Sequence, residues 1–107
     1  MIITDEIRRI TDIIIKTVPT EKIYLFGSYV NGNPNNDSDY DLYVVIPNGN
    51  MRPIEAIGNI YMALCGMKRR PVDILAGTVE IFDRRSKQIT IERTIEQEGV
   101  IIYEHGK

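Results

Sequence analysis

Apolar residues open the chain at helical spacing: Ile3, Ile7, Ile10, Ile14 and Val18 recur at steps of three and four, which predicts an amphipathic helix that stops before Pro19. Lys22 to Phe26 changes to a short run of β-branched and aromatic residues, the pattern of a strand. Polar residues rich in Asn and Gly then hold the chain from Gly27 to Ser38, with room for one helical turn over Ser28 to Asn31. The apolar pattern restarts at Asp41 and runs almost unbroken to Ile46, which predicts a central strand covered on both faces. Pro47 to Asn50 predicts a turn, and Pro53 suits the first position of a helix whose Ile54, Ile57, Tyr61 and Leu64 line one face up to Gly66. Pro71 to Ala76 predicts a third strand. Thr78 would cap a short helix, Thr90 to Glu98 would form another that Gly99 ends in the left-handed conformation, and Val100 to Tyr103 would be a last strand.

This order of elements carries no internal repeat, low-complexity segment or linker. It predicts one α/β (α+β) domain over residues 1–107, a small mixed β-sheet with helices packed on it. The length agrees, because a chain of 107 residues buries roughly two-thirds of its unfolded surface as one core and too little as two. An apolar share of 43% with 26% charged residues is that of an ordinary globular protein, and a net charge of −2 lacks the basic footprint of a bulk nucleic-acid binder. No apolar run approaches the ~20 residues that span a bilayer, and Asp5 and Glu6 stand where a signal peptide needs positive charge, so a cytoplasmic location without membrane contact is expected. Cys65, the single cysteine, is expected to be a small buried thiol.

Two aspartates at the start of an otherwise apolar strand are the feature that composition does not explain. Side chains alternate along a strand, so Asp39 and Asp41 point the same way while Leu42, Val44 and Ile46 pack on the other side. Crowded like charges raise each other's proton affinity unless a cation lies between them. Mg²⁺ suits such a place, since it takes a few carboxylates together with water and phosphate oxygens. Asp73, flanked by Val72 and Ile74, adds a third carboxylate if its strand neighbours that of Asp41. Three aspartates could hold two Mg²⁺ ions for in-line attack on phosphorus. Gly27 would let the backbone approach a phosphate, with Ser28 and the amides after it as donors.

Gly27-Ser28, then Asp39-Tyr40-Asp41, then Asp73 on a later strand resembles the signature of the DNA polymerase β-type nucleotidyltransferase superfamily. At this length the chain looks like the minimal nucleotidyltransferases, many of which are antitoxins paired with helical HEPN-domain proteins. The resemblance covers Ile23 to Ala76 by motif and the rest by order of elements. It implies Mg²⁺-dependent transfer of AMP from ATP to a hydroxyl. Asp39 and Asp41 would hold metal, Asp73 would be third ligand or base, and Gly27 and Ser28 would hold the β and γ phosphates. The expected acceptor is a hydroxyl of a partner protein, since few residues remain to wall the cleft. Related sequences often carry Arg in the turn after Gly-Ser where this chain has Asn31, which would remove one contact to triphosphate.

Simpler readings stand beside these. Asn33 to Ser38 has ordinary turn composition, Ser28 could merely cap a helix, and Asp73 alone could be an edge acid paired with a base. Lys68 to Arg70 suits a helix C-terminal dipole, Arg84, Arg85 and Lys87 a solvated face, and His105 a frayed tail. Two rival functions follow: a module of this fold that neutralises a partner by contact with little turnover, and transfer to a small molecule such as an aminoglycoside.

Overall fold

The N-terminal period is realised as α1, Asp5–Thr17. Thr4 caps it by accepting a hydrogen bond from the Ile7 N–H at 3.2 Å, and Asp5 and Glu6 complement the positive end of the helix dipole. A computed structural model describes residues 3–31, 39–67 and 70–106 of the chain. After α1 come β1 (Lys22–Phe26), α2 (Ser28–Asn31), β2 (Tyr40–Ile46), α3 (Pro53–Leu64), β3 (Val72–Thr78), α4 (Val79–Arg85), α5 (Ile91–Glu98) and β4 (Val100–Glu104).

The strands form a mixed four-stranded sheet in the order β3-β2-β1-β4. β1 runs antiparallel to β2 and β4, while β2 and β3 are parallel and joined through α3. Parallel neighbours need such a crossover, and α3 supplies it while covering the sheet. Alternation along the strands divides the core in two. Ile23, Leu25, Leu42, Val44, Ile46 and Ile74 face α1 and α3, meeting Ile7, Ile10, Ile14, Ala56, Ile60 and Leu64. Tyr24, Tyr43 and Val45 face the other way, against Phe82 of α4 and Ile95 of α5. Each fully buried aliphatic side chain contributes roughly 1.5–3 kcal/mol, so the first and larger layer carries most of the stability.

Four expectations are corrected. The buried face of α3 is Ala56, Ile60 and Leu64, whereas Ile54 is 68% exposed and Tyr61 lies at the surface. Gly99 ends α5 with φ −74°, not in the left-handed region; its need is space, since a Cβ there would sit 2.6 Å from the Ile95 carbonyl oxygen. Cys65 is exposed at the C-terminal end of α3, its N–H donating to the Met62 carbonyl at 3.2 Å. His105 is tied to the sheet, its N–H donating to the Glu21 carbonyl at 2.8 Å. Among the described residues no helix is long and apolar enough to cross a membrane.

Candidate active site

Register builds the site. Asp41 stands opposite Phe26 on one side and opposite Asp73 on the other, because β2 and β3 pair with Asp41 and Asp73 as Cα partners. Neighbouring strands lie about 4.8 Å apart, so the two side chains leave the sheet side by side. They leave by the face of Tyr43 and Leu75, opposite Leu42 and Ile74. That second layer of helices packs on Tyr24, Tyr43 and Val45, and the acids lie at its rim. Asp41 is half-buried, and Asp73 is exposed. Asp39, two residues before Asp41, lies exposed just outside β2 and near enough for its charge to act on Asp41.

The electrostatics follow from this placement. Burial pushes the carboxyl of Asp41 above its ordinary value, and the nearby charges of Asp73 and Asp39 push it the same way. The expected neighbourhood of Asp41 and Asp73 is therefore present. Among the described residues no group of three His, Cys, Asp or Glu side chains is drawn into a ready-made metal cluster. The donor set still fits Mg²⁺, which binds through one or two carboxylates and completes its octahedron with water and substrate phosphate.

Gly27 meets Asp41 from the end of β1. It follows Phe26, the partner of Asp41, and its φ of +79° is a conformation that side chains resist. A Cβ at this position would overlap the Asp41 carboxylate. The glycine thus brings bare backbone against the acid. Its carbonyl accepts from the Val30 N–H at 3.0 Å, closing the turn into α2. Ser28 is exposed at the first position of α2. With four residues that element has little macrodipole, so any phosphate would be held by individual amides and the Ser28 hydroxyl.

Arg70 reaches two aromatic rings. Its guanidinium lies over the rings of Tyr29 and Tyr40, at 5.6 and 5.9 Å from their centroids, which ties the start of β3 to α2. Lys68, Arg69, the 32–38 segment with its Asn33 to Ser38 turn, and the Asn31 side chain lie outside the described residues.

Two polar arrangements escape the sequence reading. Glu92 is buried, accepting from the Tyr43 hydroxyl at 3.0 Å and from Arg85 Nε at 2.9 Å, so Arg85, on the solvated face expected for it, also forms a charge pair. Burial would raise the Glu92 carboxyl, but the hydrogen bonds from Arg85 and Tyr43 outweigh it and hold the group below its ordinary range. Gly77 leaves the space that the Tyr43 hydroxyl fills. A tyrosine inside an apolar strand needs a hydroxyl partner, and that was the available signal. The second arrangement is Tyr61, whose hydroxyl bonds the backbone of β3.

A four-stranded mixed sheet carrying paired acids on neighbouring strands, with a glycine turn closing on one of them, defines a nucleotidyltransferase fold. The sequence profile of the family described as Polymerase beta, nucleotidyltransferase matches residues 8–107. The chain belongs to that family, whose common chemistry is nucleotidyl transfer. Among solved structures it is similar to a candidate nucleotidyltransferase from Sulfolobus solfataricus, with 19% identity, TM-score 0.66, and 94% of this chain covering 78% of that one. It is also similar to a toxin–antitoxin structure with AMP-PNP, at 20% identity and TM-score 0.62, covering 96% of this chain and 76% of that one. A third likeness is to a toxin–antitoxin mutant, MntA-HpeT, with two aspartates changed to glutamate, at 17% identity and TM-score 0.58, covering 92% and 73%. No curated protein sequence matches the chain.

Proposed function

We propose that the protein transfers AMP from ATP to a hydroxyl of a partner protein, with Mg²⁺, as the antitoxin of a pair whose other member is a helical HEPN-like toxin. The observation that carries this reading is the register of Asp41 against Asp73 beneath the Gly27 turn. Asp41 and Asp73, with Asp39 at the mouth, would hold the metal. Bound there, Mg²⁺ would neutralise triphosphate charge and ease deprotonation of the attacking hydroxyl. The bare backbone of Gly27 and the exposed Ser28 hydroxyl would receive the β and γ phosphates. Asp73 would act as third ligand or as base. A new bond forms from the acceptor oxygen to the α-phosphorus, the bond to pyrophosphate breaks, and the hydroxyl proton passes to Asp73 or to solvent.

The partner enters through exposure. Asp39, Asp73 and Ser28 are all exposed, so the described residues offer little to exclude water or orient a free acceptor. A docked protein surface would supply both, placing a tyrosine or serine hydroxyl in line. Toxin–antitoxin assemblies among the similar structures support a protein partner. The test is to incubate the protein, Mg²⁺ and each nucleoside triphosphate with the product of the adjoining reading frame, and to weigh both chains by mass spectrometry. Addition of AMP to the partner supports the proposal. A tight complex left unmodified refutes it in favour of a module that neutralises by contact.

A further inference from the structure

Asp73 stands on β3, which has β2 on one side and the edge of the sheet on the other. An edge strand is restrained on one side only, a weak mounting for an acid that must stay beside another acid. Asp41 is different, because β2 is held between β1 and β3. Repulsion between the two carboxylates therefore acts on the less restrained partner.

The outer side of β3 is held at just this level. The Ile74 N–H donates to the Tyr61 hydroxyl oxygen at 2.9 Å, and the Tyr61 O–H donates to the Val72 carbonyl at 3.4 Å. One hydroxyl thus binds the residue before Asp73 and the residue after it. On the inner side the Tyr40 N–H donates to the Pro71 carbonyl at 3.0 Å, and Asp73 is in register with Asp41. The backbone of Asp73 is gripped from both sides. Tyr61 lies on α3 with its residue 39% exposed, so a large aromatic is kept at the surface while its polar group bonds strand backbone.

We propose that Tyr61 is a positioning residue for the acid site, fixing β3 at Asp73 so that its carboxylate stays beside that of Asp41. This rests on the reading of those acids as metal-holding groups. Tyr61→Phe keeps the ring and deletes the grip. Outer hydrogen-bond partners of metal ligands typically change metal affinity about 10- to 100-fold, and a partner acting through backbone belongs at about tenfold.

The experiment follows thermal unfolding of the free protein as Mg²⁺ is titrated, for wild type, Tyr61→Phe, Asp41→Asn, Asp73→Asn and Tyr61→Phe/Asp73→Asn, with amide hydrogen exchange at Ile74. Tyr61→Phe is expected to quicken exchange at Ile74 and to raise the Mg²⁺ midpoint about tenfold. In the Asp73→Asn background the same change should leave the midpoint where Asp73→Asn put it. Faster exchange with a wild-type midpoint makes Tyr61 merely structural and overturns the inference alone, as does an equal midpoint shift in both backgrounds. If Mg²⁺ does not stabilise wild type, or stabilises Asp41→Asn equally, the metal site fails and this inference fails with it.

Discussion

Replacing Gly27 with alanine separates the two demands placed on that residue. The first is conformational: φ is +79°, and an L-residue there costs about 1–2 kcal/mol. The second is space, because the new methyl overlaps the Asp41 carboxylate. Overfilling costs about 1–3 kcal/mol, and the low end applies where the obstructing group is the tip of a side chain that can turn away. The expected total is about 2–3 kcal/mol. Gly49→Ala is the internal standard, since its φ is +82° with nothing within 4 Å of the added carbon. It should lose only the conformational part. Urea unfolding measures both, as a shift in midpoint at constant slope. The excess of Gly27→Ala over Gly49→Ala, about 1 kcal/mol, should vanish in an Asp41→Ala background. Equal losses at the two glycines, or an excess that survives without Asp41, would refute the packing of Gly27 on the acid.

Two further outcomes follow from the titrating groups. Asp41→Asn should leave the metal-free protein as stable as wild type or more so at pH 7 and abolish transfer; the folded carboxyl is raised above 3.8, so its stabilising effect is present below that value and lost as pH rises through the folded one. Melting with and without Mg²⁺ checks this, and equal metal stabilisation of both proteins would contradict it. Glu92 behaves in the opposite sense: its folded carboxyl is depressed, so it stabilises above 4.5 and loses that contribution as pH falls through the folded value. Glu92→Gln should cost about 1–3 kcal/mol at pH 7 and flatten the acid limb of the stability curve, read by urea unfolding from neutral to acid pH.

The first helix is legible because its burial is periodic, and β1 and β2 because they are short, nearly unbroken apolar runs. β1 was read at its observed bounds, and α1 and β2 within two residues at either end. The side-by-side placement of Asp41 and Asp73 was legible only conditionally, since alternation fixes a face but register with another strand depends on the crossover through α3. On α3 the apolar residues outnumber those the core can take, so periodicity admits two stripes, and the sheet selects Ala56, Ile60 and Leu64 over the stripe with Ile54. Gly99 misled because helix-ending glycines usually answer to φ, whereas here the nearby Ile95 carbonyl leaves no space for a Cβ. Glu92 and Tyr61 were hidden for a common reason. Each acts through a partner remote in sequence, Tyr43 for the first and the backbone of β3 for the second, and composition is silent on such pairs.

Transfer of the α-phosphate is the central claim, and differential labelling tests it most directly. The protein is supplied with Mg²⁺, its partner, and ATP labelled either at the α-phosphate or at the γ-phosphate, beside a variant with Asp39, Asp41 and Asp73 all changed to Asn. The account predicts label on the partner from α-labelled ATP alone, and none with the variant. Label from γ-labelled ATP, or α-label transferred equally by the variant, would contradict it.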